Sequence, residues 1–172
     1  MASATEAPPA AGLDNPAARV LREQLGEQVK GVDDFRGDLA ITVAREAWVK
    51  AATLLRNHPD LDFKLFLDLC GVDYLEERDD RYEAVLHAYS VSRKHHVRLK
   101  TTLPERDPRV ETLSGVYKGA NWFEREAWDL YGIKFDGHPN LTRIFLPEDW
   151  DGHPHRKDYP VGGEPVQFSD AT

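Results

Sequence analysis

Three consecutive segments between residues 63 and 103 have the hydrophobic pattern of β-strands, and short turns separate them. In the first, from Phe63 to Leu69, every odd position is apolar, which is the two-residue period of a strand. Residues 82–91 are apolar on both sides, so this strand is predicted to lie inside a sheet. In residues 95–103, apolar residues alternate with Arg98 and Lys100. Because short connections join antiparallel neighbours, the pattern predicts an antiparallel sheet.

Two helices are predicted before these strands. The first begins at Asn15-Pro16 and ends near Gly26, since proline suits the first turn of a helix and glycine its end. The second covers residues 45–57 and stops before Pro59. Two short strands are predicted between them, at residues 29–35 and 38–43. The fold class is therefore α+β: an antiparallel sheet of about four to five strands with helices packed on one face, followed by a helix and an extended, turn-rich C-terminal segment.

The length of 172 residues favours a single domain. We predict a flexible N-terminal tail at residues 1–14, one α+β domain at residues 15–160, and a C-terminal tail at residues 161–172. The N-terminal stretch lacks the basic residues and the apolar core of a signal peptide. No apolar run approaches the ~20 residues that a membrane helix needs.

Composition and missing motifs argue against several classes of protein. The formal net charge of -8 argues against a nucleic-acid partner, because phosphates repel such a surface. The single cysteine, Cys70, excludes an intramolecular disulfide and an iron–sulfur cluster held by this chain's cysteines alone, and it favours a reducing compartment. The sequence has no glycine-rich nucleotide loop, no Gly-x-Ser-x-Gly and no Cys-x-x-Cys. These absences favour an interaction protein over an enzyme.

Residues 121–160, here called the signature segment, are dense in charges, aromatic residues and turn formers. Asn121 and Glu124 have the spacing of a capping box, which predicts a helix that ends at Gly132. Glu124 is interpreted as the capping carboxylate, and the alternative is a buried carboxylate with a chemical role. Arg125 and Asp129 lie four residues apart on the predicted polar face, where they can pair.

Two Gly-His-Pro units place His138 and His153 in predicted turns. With Asp151 nearby, the two histidines are of the residue types that bind zinc. However, a proline follows each histidine, and histidine in such a turn more often hydrogen-bonds the local backbone. We therefore predict no metal site here, and metal binding remains the minor alternative.

The run from Glu124 to Pro160 closely resembles the signature of the C subunit of the proton-pumping NADH-quinone oxidoreductase, respiratory complex I. The pattern consists of an acidic helix start, a Gly-His-Pro turn, an arginine and a final Arg-Lys-Asp followed by an aromatic residue and proline. The matching residues are Glu124, Arg125, Glu126, Asp129, Leu130, Tyr131, Gly132, Gly137, His138, Pro139, Arg143, Arg156, Lys157, Asp158, Tyr159 and Pro160. The chain departs from the family at Thr142, where a second basic residue is frequent, and at His155, where leucine is frequent.

The resemblance implies a structural subunit without a cofactor of its own in the hydrophilic arm of the complex, which passes electrons from NADH to quinone. FMN, the iron–sulfur clusters and the quinone site would belong to partner subunits. The chain would pack beside the large D subunit and the iron–sulfur B and I subunits, on the cytoplasmic side of the cell membrane and attached to the membrane only through the complex.

No catalytic, cofactor-binding or metal-binding residue is expected. The signature segment is expected to bind the partner subunits, with Arg143 and Arg156 bonded to the large subunit. The expected partner-binding residues are Glu124, Arg125, Glu126, Asp129, His138, Arg143, His153, Arg156, Lys157 and Asp158.

Three alternatives remain open at the level of sequence. The first is the equivalent subunit of a related membrane-bound hydrogenase or of another quinone-reducing complex. The second is a stand-alone metal hydrolase that uses His138, His153 and Asp151. The third is a free adaptor domain unrelated to respiration.

Overall fold

A computed structural model describes residues 15–160, so both predicted tails, at 1–14 and 161–172, lie outside the described residues. Two one-turn 3-10 helices, Gly26–Gln28 and Arg45–Ala47, accompany the regular elements. Residues 15–160 form three α-helices: α1 (Pro16–Leu25), α2 (Trp48–Asn57) and α3 (Ala120–Tyr131). The described part of the chain also forms seven strands: β1 (Val29–Phe35), β2 (Asp38–Val43), β3 (Leu65–Asp73), β4 (Tyr82–Ser90), β5 (His95–Leu103), β6 (Arg109–Glu111) and β7 (Lys134–Asp136).

Five strands form the main sheet in the order β1-β2-β5-β4-β3, and β6 pairs with β7 in a second, two-stranded sheet. The prediction of an α+β fold with about five strands is confirmed. The sheet is mixed rather than wholly antiparallel, because β2 and β5 run parallel. Consecutive strands joined by short turns are antiparallel, as expected. The difference arises because β2 and β5 are joined by the long connection over residues 44–94, which brings β5 back in the direction of β2.

One face of the main sheet carries the core, and all three α-helices contribute side chains to it. Val97, Leu99 and Leu103 are fully buried on that face, as the alternation in β5 predicted. Arg98 and Lys100 lie on the opposite face of the same strand. The second face of the sheet, here called the open face, carries the side chains that point away from this core.

The predicted alternation in β3 is wrong at its start. Leu65 and Leu67 are 45% and 44% exposed, whereas Leu69 is buried. The register between β3 and β4 shifts between Phe66 and Asp68, which marks a β-bulge. An extra residue in a bulge changes which face the neighbouring side chains occupy, so Phe66 rather than Leu65 pairs with core-facing Ala88.

The capping-box prediction for α3 is also wrong. The N-cap of α3 is Gly119, which makes no side-chain cap, and Asn121 lies inside the first turn. The start of α1 does follow the expected pattern, since Oδ1 of Asn15 accepts a hydrogen bond from the Ala17 amide at 2.9 Å.

Helix α3 packs closely on the edge strand β3. A Cβ on Gly71 would lie 3.0 Å from Cδ2 of Tyr131, the last residue of α3, and 2.9 Å from Cδ1 of Ile133, two residues further on. The glycine therefore allows the helix end to approach the strand, and the signature segment continues from that end.

Candidate functional site

The last part of the signature segment, residues 153–160, folds back over the C-terminal end of α3 and satisfies its free carbonyl groups. The amide of His155 donates to the carbonyl of Leu130 at 3.0 Å. Nε of Arg156 donates to the carbonyl of Tyr131 at 2.8 Å. The last carbonyls of a helix have no partner within the helix, so these donors stabilise the end of α3. Because His155 makes this bond through its backbone amide, leucine at this position would make the same bond.

Gly132 allows residues 153–160 to pack against the C-terminal end of α3. It ends α3 in the left-handed conformation, with φ of 76°, as the sequence predicted for a C-terminal stop. A Cβ at this position would lie 2.7 Å from the ring of His153 and would clash with the guanidinium of Arg156. Nδ1 of His153 is 2.8 Å from the carbonyl oxygen of Asp129, so Nδ1 carries the proton and donates it.

Asp129 organises the middle of the signature segment. Its Oδ2 accepts hydrogen bonds from three consecutive amides, those of Ile144, Phe145 and Leu146, at 2.9–3.1 Å. Its Oδ1 lies 2.6 Å from Nη1 of Arg143. Burial alone would raise the pKa of this fully buried carboxyl, but the amide hydrogen bonds and the guanidinium outweigh burial and lower the pKa below its ordinary value.

The predicted pair between Arg125 and Asp129 does not form. Arg125 instead donates to the carbonyls of Thr142, at 3.0 Å, and Arg143, at 2.9 Å. Its guanidinium also lies 5.0 Å from the ring centre of Trp122. Asp129 is buried rather than on a polar helix face, because its partners come from a distant segment of the chain. The contact at Thr142 uses its backbone, so a basic side chain is not required for this contact.

Glu124 is a buried carboxylate and not a helix cap. Its Oε1 accepts from the amide of Leu113 at 2.6 Å, and its Oε2 accepts from the hydroxyl of Thr112. Burial raises the pKa of Glu124 to about 7, although these two hydrogen bonds act in the opposite direction. The alternative interpretation of the sequence is therefore correct about burial: Glu124 ties α3 to the stretch that follows β6.

His138 lies beside Glu124, at 3.9 Å between Nε2 and Oε2, with both side chains fully buried. Its Nδ1 accepts from the amide of Asn140 at 3.0 Å. Its Nε2 therefore carries the proton and donates it to the carbonyl of Asn121 at 3.1 Å. His138 thus binds the first turn of α3, whereas His153 binds Asp129 in the last turn, roughly 12 Å further along the helix axis. The two histidines do not share a metal site, which disfavours the hydrolase alternative.

Sequence reasoning missed Arg81, which is buried among three carboxylates. Its guanidinium donates twice to Asp73, at 2.8 and 2.9 Å, and twice to Asp158, at 2.7 and 3.0 Å. It also lies 2.8 Å from Glu105. Asp73 accepts an additional bond from the amide of Lys157 at 2.8 Å. The end of the signature segment is therefore anchored to the β3–β4 turn by a bidentate guanidinium.

The remaining candidate residues are more exposed. Nζ of Lys157 lies 2.6 Å from Glu77 in an exposed ion pair. Glu126 lines a small cleft between α3 and β3, together with Asp68 and Cys70. For Arg81, described above, the sequence shows only that it lies beside a predicted turn. Its partner Asp158 is 77 positions away, so no local pattern connects the two residues.

The charged groups of the signature segment thus bind one another and the backbone. Glu124 and His138 act at the first turn of α3, Asp129 and Arg143 in the middle of the segment, and Arg81 and Asp158 near its end. Such an arrangement gives a defined shape to residues 137–160, which contain no helix or strand. Within residues 15–160, no helix is long and apolar enough to cross a membrane.

Comparison with known protein families identifies the class. The family model described as "Respiratory-chain NADH dehydrogenase, 30 Kd subunit" matches residues 41–165, which include most of the main sheet, α3 and the signature segment.

Curated relatives agree with the family model. The chain is 46% identical over 158 residues to the NADH-quinone oxidoreductase C subunit of Roseiflexus castenholzii, covering 91% of this chain and 90% of that protein. It is 49% identical over 138 residues to the C subunit of Herpetosiphon aurantiacus, covering 80% of each chain. The chain belongs to the complex I 30 kDa subunit family, which is the family of the NADH-quinone oxidoreductase C subunit.

Solved structures share the fold. A trypsin-resistant fragment (1-134) of Nqo5 superposes with a TM-score of 0.61 at 30% identity, covering 72% of this chain and 97% of the fragment. A chain in the structure of a membrane-bound sulfane sulfur reductase, described as an archaeal respiratory membrane complex, superposes with a TM-score of 0.72 at 21% identity, covering 90% of this chain and 93% of that one. The second likeness establishes a common fold only.

Proposed function

We propose that this chain is a structural subunit of the hydrophilic arm of the complex, without a redox cofactor of its own. It supports electron transfer from NADH to quinone, while FMN and the iron–sulfur clusters are held by partner subunits. Its neighbours are the large D subunit and the iron–sulfur B and I subunits, and it reaches the cytoplasmic side of the cell membrane only through the complex. The single cysteine supports this proposal, because iron–sulfur clusters need several cysteine ligands.

The observation that carries the proposal is the internal bonding of the signature segment. Residues 137–160 contain no helix or strand, yet buried charges hold them against α3 and β4. A segment that has already lost its conformational freedom loses less entropy on binding, so it is well suited to dock a partner. A catalytic site would instead need reactive groups that are free to meet a substrate.

Two exposed aromatic side chains mark the surface that we assign to docking. Trp122 is 60% exposed and Phe145 is 63% exposed. Arg125 links them, since it lies over the Trp122 ring and binds the carbonyl of Arg143, two residues before Phe145. Aromatic residues flanked by arginine are typical of the residues that dominate protein–protein binding energies.

The signature residues contribute to docking in two ways under this proposal. Asp129, Arg143 and Arg156 act by holding the shape of the segment, because each has bonds within the chain. Lys157 and Asp158 are exposed and can also reach a partner. Removing either kind of contact should weaken assembly.

Assembly of the complex in the native host tests the proposal. We expect the double variant Trp122→Ala with Phe145→Ala to keep the melting temperature of the purified chain within a few degrees. The same variant should recover less of the D, B and I subunits by affinity purification from membranes, with NADH-quinone activity falling in proportion. Phe35→Ala is the matched control, since Phe35 is 66% exposed on the distant β1–β2 hairpin. Normal recovery of the partner subunits by the double variant would refute docking at this surface.

A further inference from the structure

Three potential metal ligands of different chemistry meet on the open face of the sheet. One ligand atom each from Asp68, Cys70 and His87 lies within 4.8 Å of the others. Asp68 and His87 are directly opposite each other across the β3–β4 ladder, and Cys70 is two residues further along the same face of β3. Each of the three is partly exposed. Sequence spacing did not reveal this cluster because its members come from two strands.

A fourth potential ligand stands beside the cluster. The rings of His87 and His96 are stacked with centroids 5.2 Å apart. Nδ1 of His87 is 3.2 Å from Nε2 of His96, which extends the cluster from β4 to β5. On the other side, Glu126 of α3 lines the same small cleft as Asp68 and Cys70. The nearby charges are mixed, since Arg98 and Asp38 also face the two histidines.

We propose that Asp68, Cys70 and His87 bind a borderline-soft divalent cation of the zinc class, with His96 or a water molecule in the fourth position. Zinc accepts thiolate, imidazole and carboxylate ligands together in a tetrahedral site. Magnesium and calcium prefer sets made of oxygen ligands, so the thiol and imidazole select against them. Binding displaces the proton of the Cys70 thiol to solvent, because thiolate is the form of cysteine that binds metal.

The bound ion would crosslink the edge strand β3 to its neighbour β4, because its ligands come from both strands. This is the part of β3 on which α3 packs, near the β-bulge that interrupts the ladder between Phe66 and Asp68. A cross-strand ligand set stabilises the folded state only while both strands are paired. The role of the ion at this site is therefore structural.

Cobalt binding to the full-length chain tests the site, since Co²⁺ reports its ligands in its absorption spectrum. We expect Co²⁺ to give a thiolate-to-metal charge-transfer band that Zn²⁺ displaces at one equivalent. Cys70→Ser should abolish this band. His87→Gln and Asp68→Asn should keep a weaker band and raise the dissociation constant at least tenfold. His58→Gln is the control, because His58 follows α2 and is outside the cluster.

Thermal unfolding provides a second readout. Zn²⁺ should raise the melting temperature of the wild-type chain and of the His58→Gln variant but not that of Cys70→Ser. If Cys70→Ser does not fold, the same comparison is made with Asp68→Asn. Cobalt binding without a thiolate band would overturn the proposal. So would an affinity that Asp68→Asn and His87→Gln leave unchanged.

Discussion

The carboxylate of Asp129 and the guanidinium of Arg143 form a 2.6 Å ion pair between a helix and a segment 14 residues further along the chain. Asp129 is fully buried, and the side chain of Arg143 is 12% exposed. The pair therefore lies in an environment where a charge without a partner is costly. The ion pair fixes the path of the signature segment after the first Gly-His-Pro turn, at residues 137–139.

Asp129→Asn should destabilise the chain by about 3 kcal/mol, because it leaves the buried Arg143 without its counter-charge. Urea unfolding of the full-length chain measures the change. Asp136→Asn is the control: its ion pair with Arg109 is 3.5 Å long and about half exposed, so the expected loss is below about 1 kcal/mol. Equal losses in the two variants would contradict the importance of the buried pair.

Glu124 should make the chain less stable as pH rises from weakly acidic to neutral. Its pKa is raised from an ordinary 4.5 to about 7 by burial, so between these values the folded state holds a proton that the unfolded state has lost. Stability from this group is complete below the unfolded pKa and falls by up to about 3 kcal/mol as pH rises through the folded pKa. His138 is the titratable group that faces Glu124.

Comparison with Glu124→Gln isolates this effect, because glutamine has a similar shape and does not titrate. Urea unfolding is measured for both chains at about pH 5 and at about pH 8. We expect the stability of the variant relative to the wild type to increase with pH. A difference that is constant across this range would show that Glu124 titrates at its ordinary value.

Replacing Asn15 or Asn121 with alanine should change the stability of the chain by different amounts. Asn15→Ala should cost about 1 kcal/mol, since its side chain caps α1 through the amide of Ala17. Asn121→Ala should change stability by less than about 0.5 kcal/mol, because Asn121 lies inside α3 and its contact with His138 uses its backbone carbonyl. Thermal unfolding of both variants decides between this assignment and a capping role for Asn121.

Gly132→Ala should be more damaging than Gly26→Ala, although both glycines have positive φ. Alanine costs about 1–2 kcal/mol in the left-handed helical conformation of Gly132, and the positive φ of Gly26, outside that region, is also strained for alanine. A Cβ on Gly26 meets nothing within 4 Å, whereas a Cβ on Gly132 would clash with His153 and Arg156. We expect an additional loss of at least about 1 kcal/mol for Gly132→Ala in urea unfolding. Equal losses would mean that His153 and Arg156 move away freely.

Patterns within short stretches of sequence were reliable guides to the individual elements. The predicted strands at residues 29–35 and 38–43 agree with β1 and β2, and the helix that starts at Pro16 does end before Gly26. Local periodicity predicted these elements because a strand or helix that buries one face repeats its apolar residues at a fixed spacing. The signature residues also led correctly to the family of the chain.

Contacts between residues far apart in the sequence decided the strand pairing, the β-bulge and the burial of charged groups. The parallel pairing of β2 with β5 depends on a long connection, and the β-bulge before Asp68 depends on the register of a neighbouring strand. The same is true of the candidate site, where Glu124 looked like a helix cap by its local spacing. Its burial follows from partners on the stretch after β6.

The sequence by itself determined the three α-helices and the five strands of the main sheet within residues 15–160, the α+β class and the family, but not the short strands β6 and β7. Only the tertiary structure decided which charges are buried and with what partners: Arg81 meets Asp158 across 77 positions, and Asp68 meets His87 across two strands. The physical reason is that secondary structure arises from neighbouring residues, whereas the cost of burying a charge depends on every group that folding brings around it.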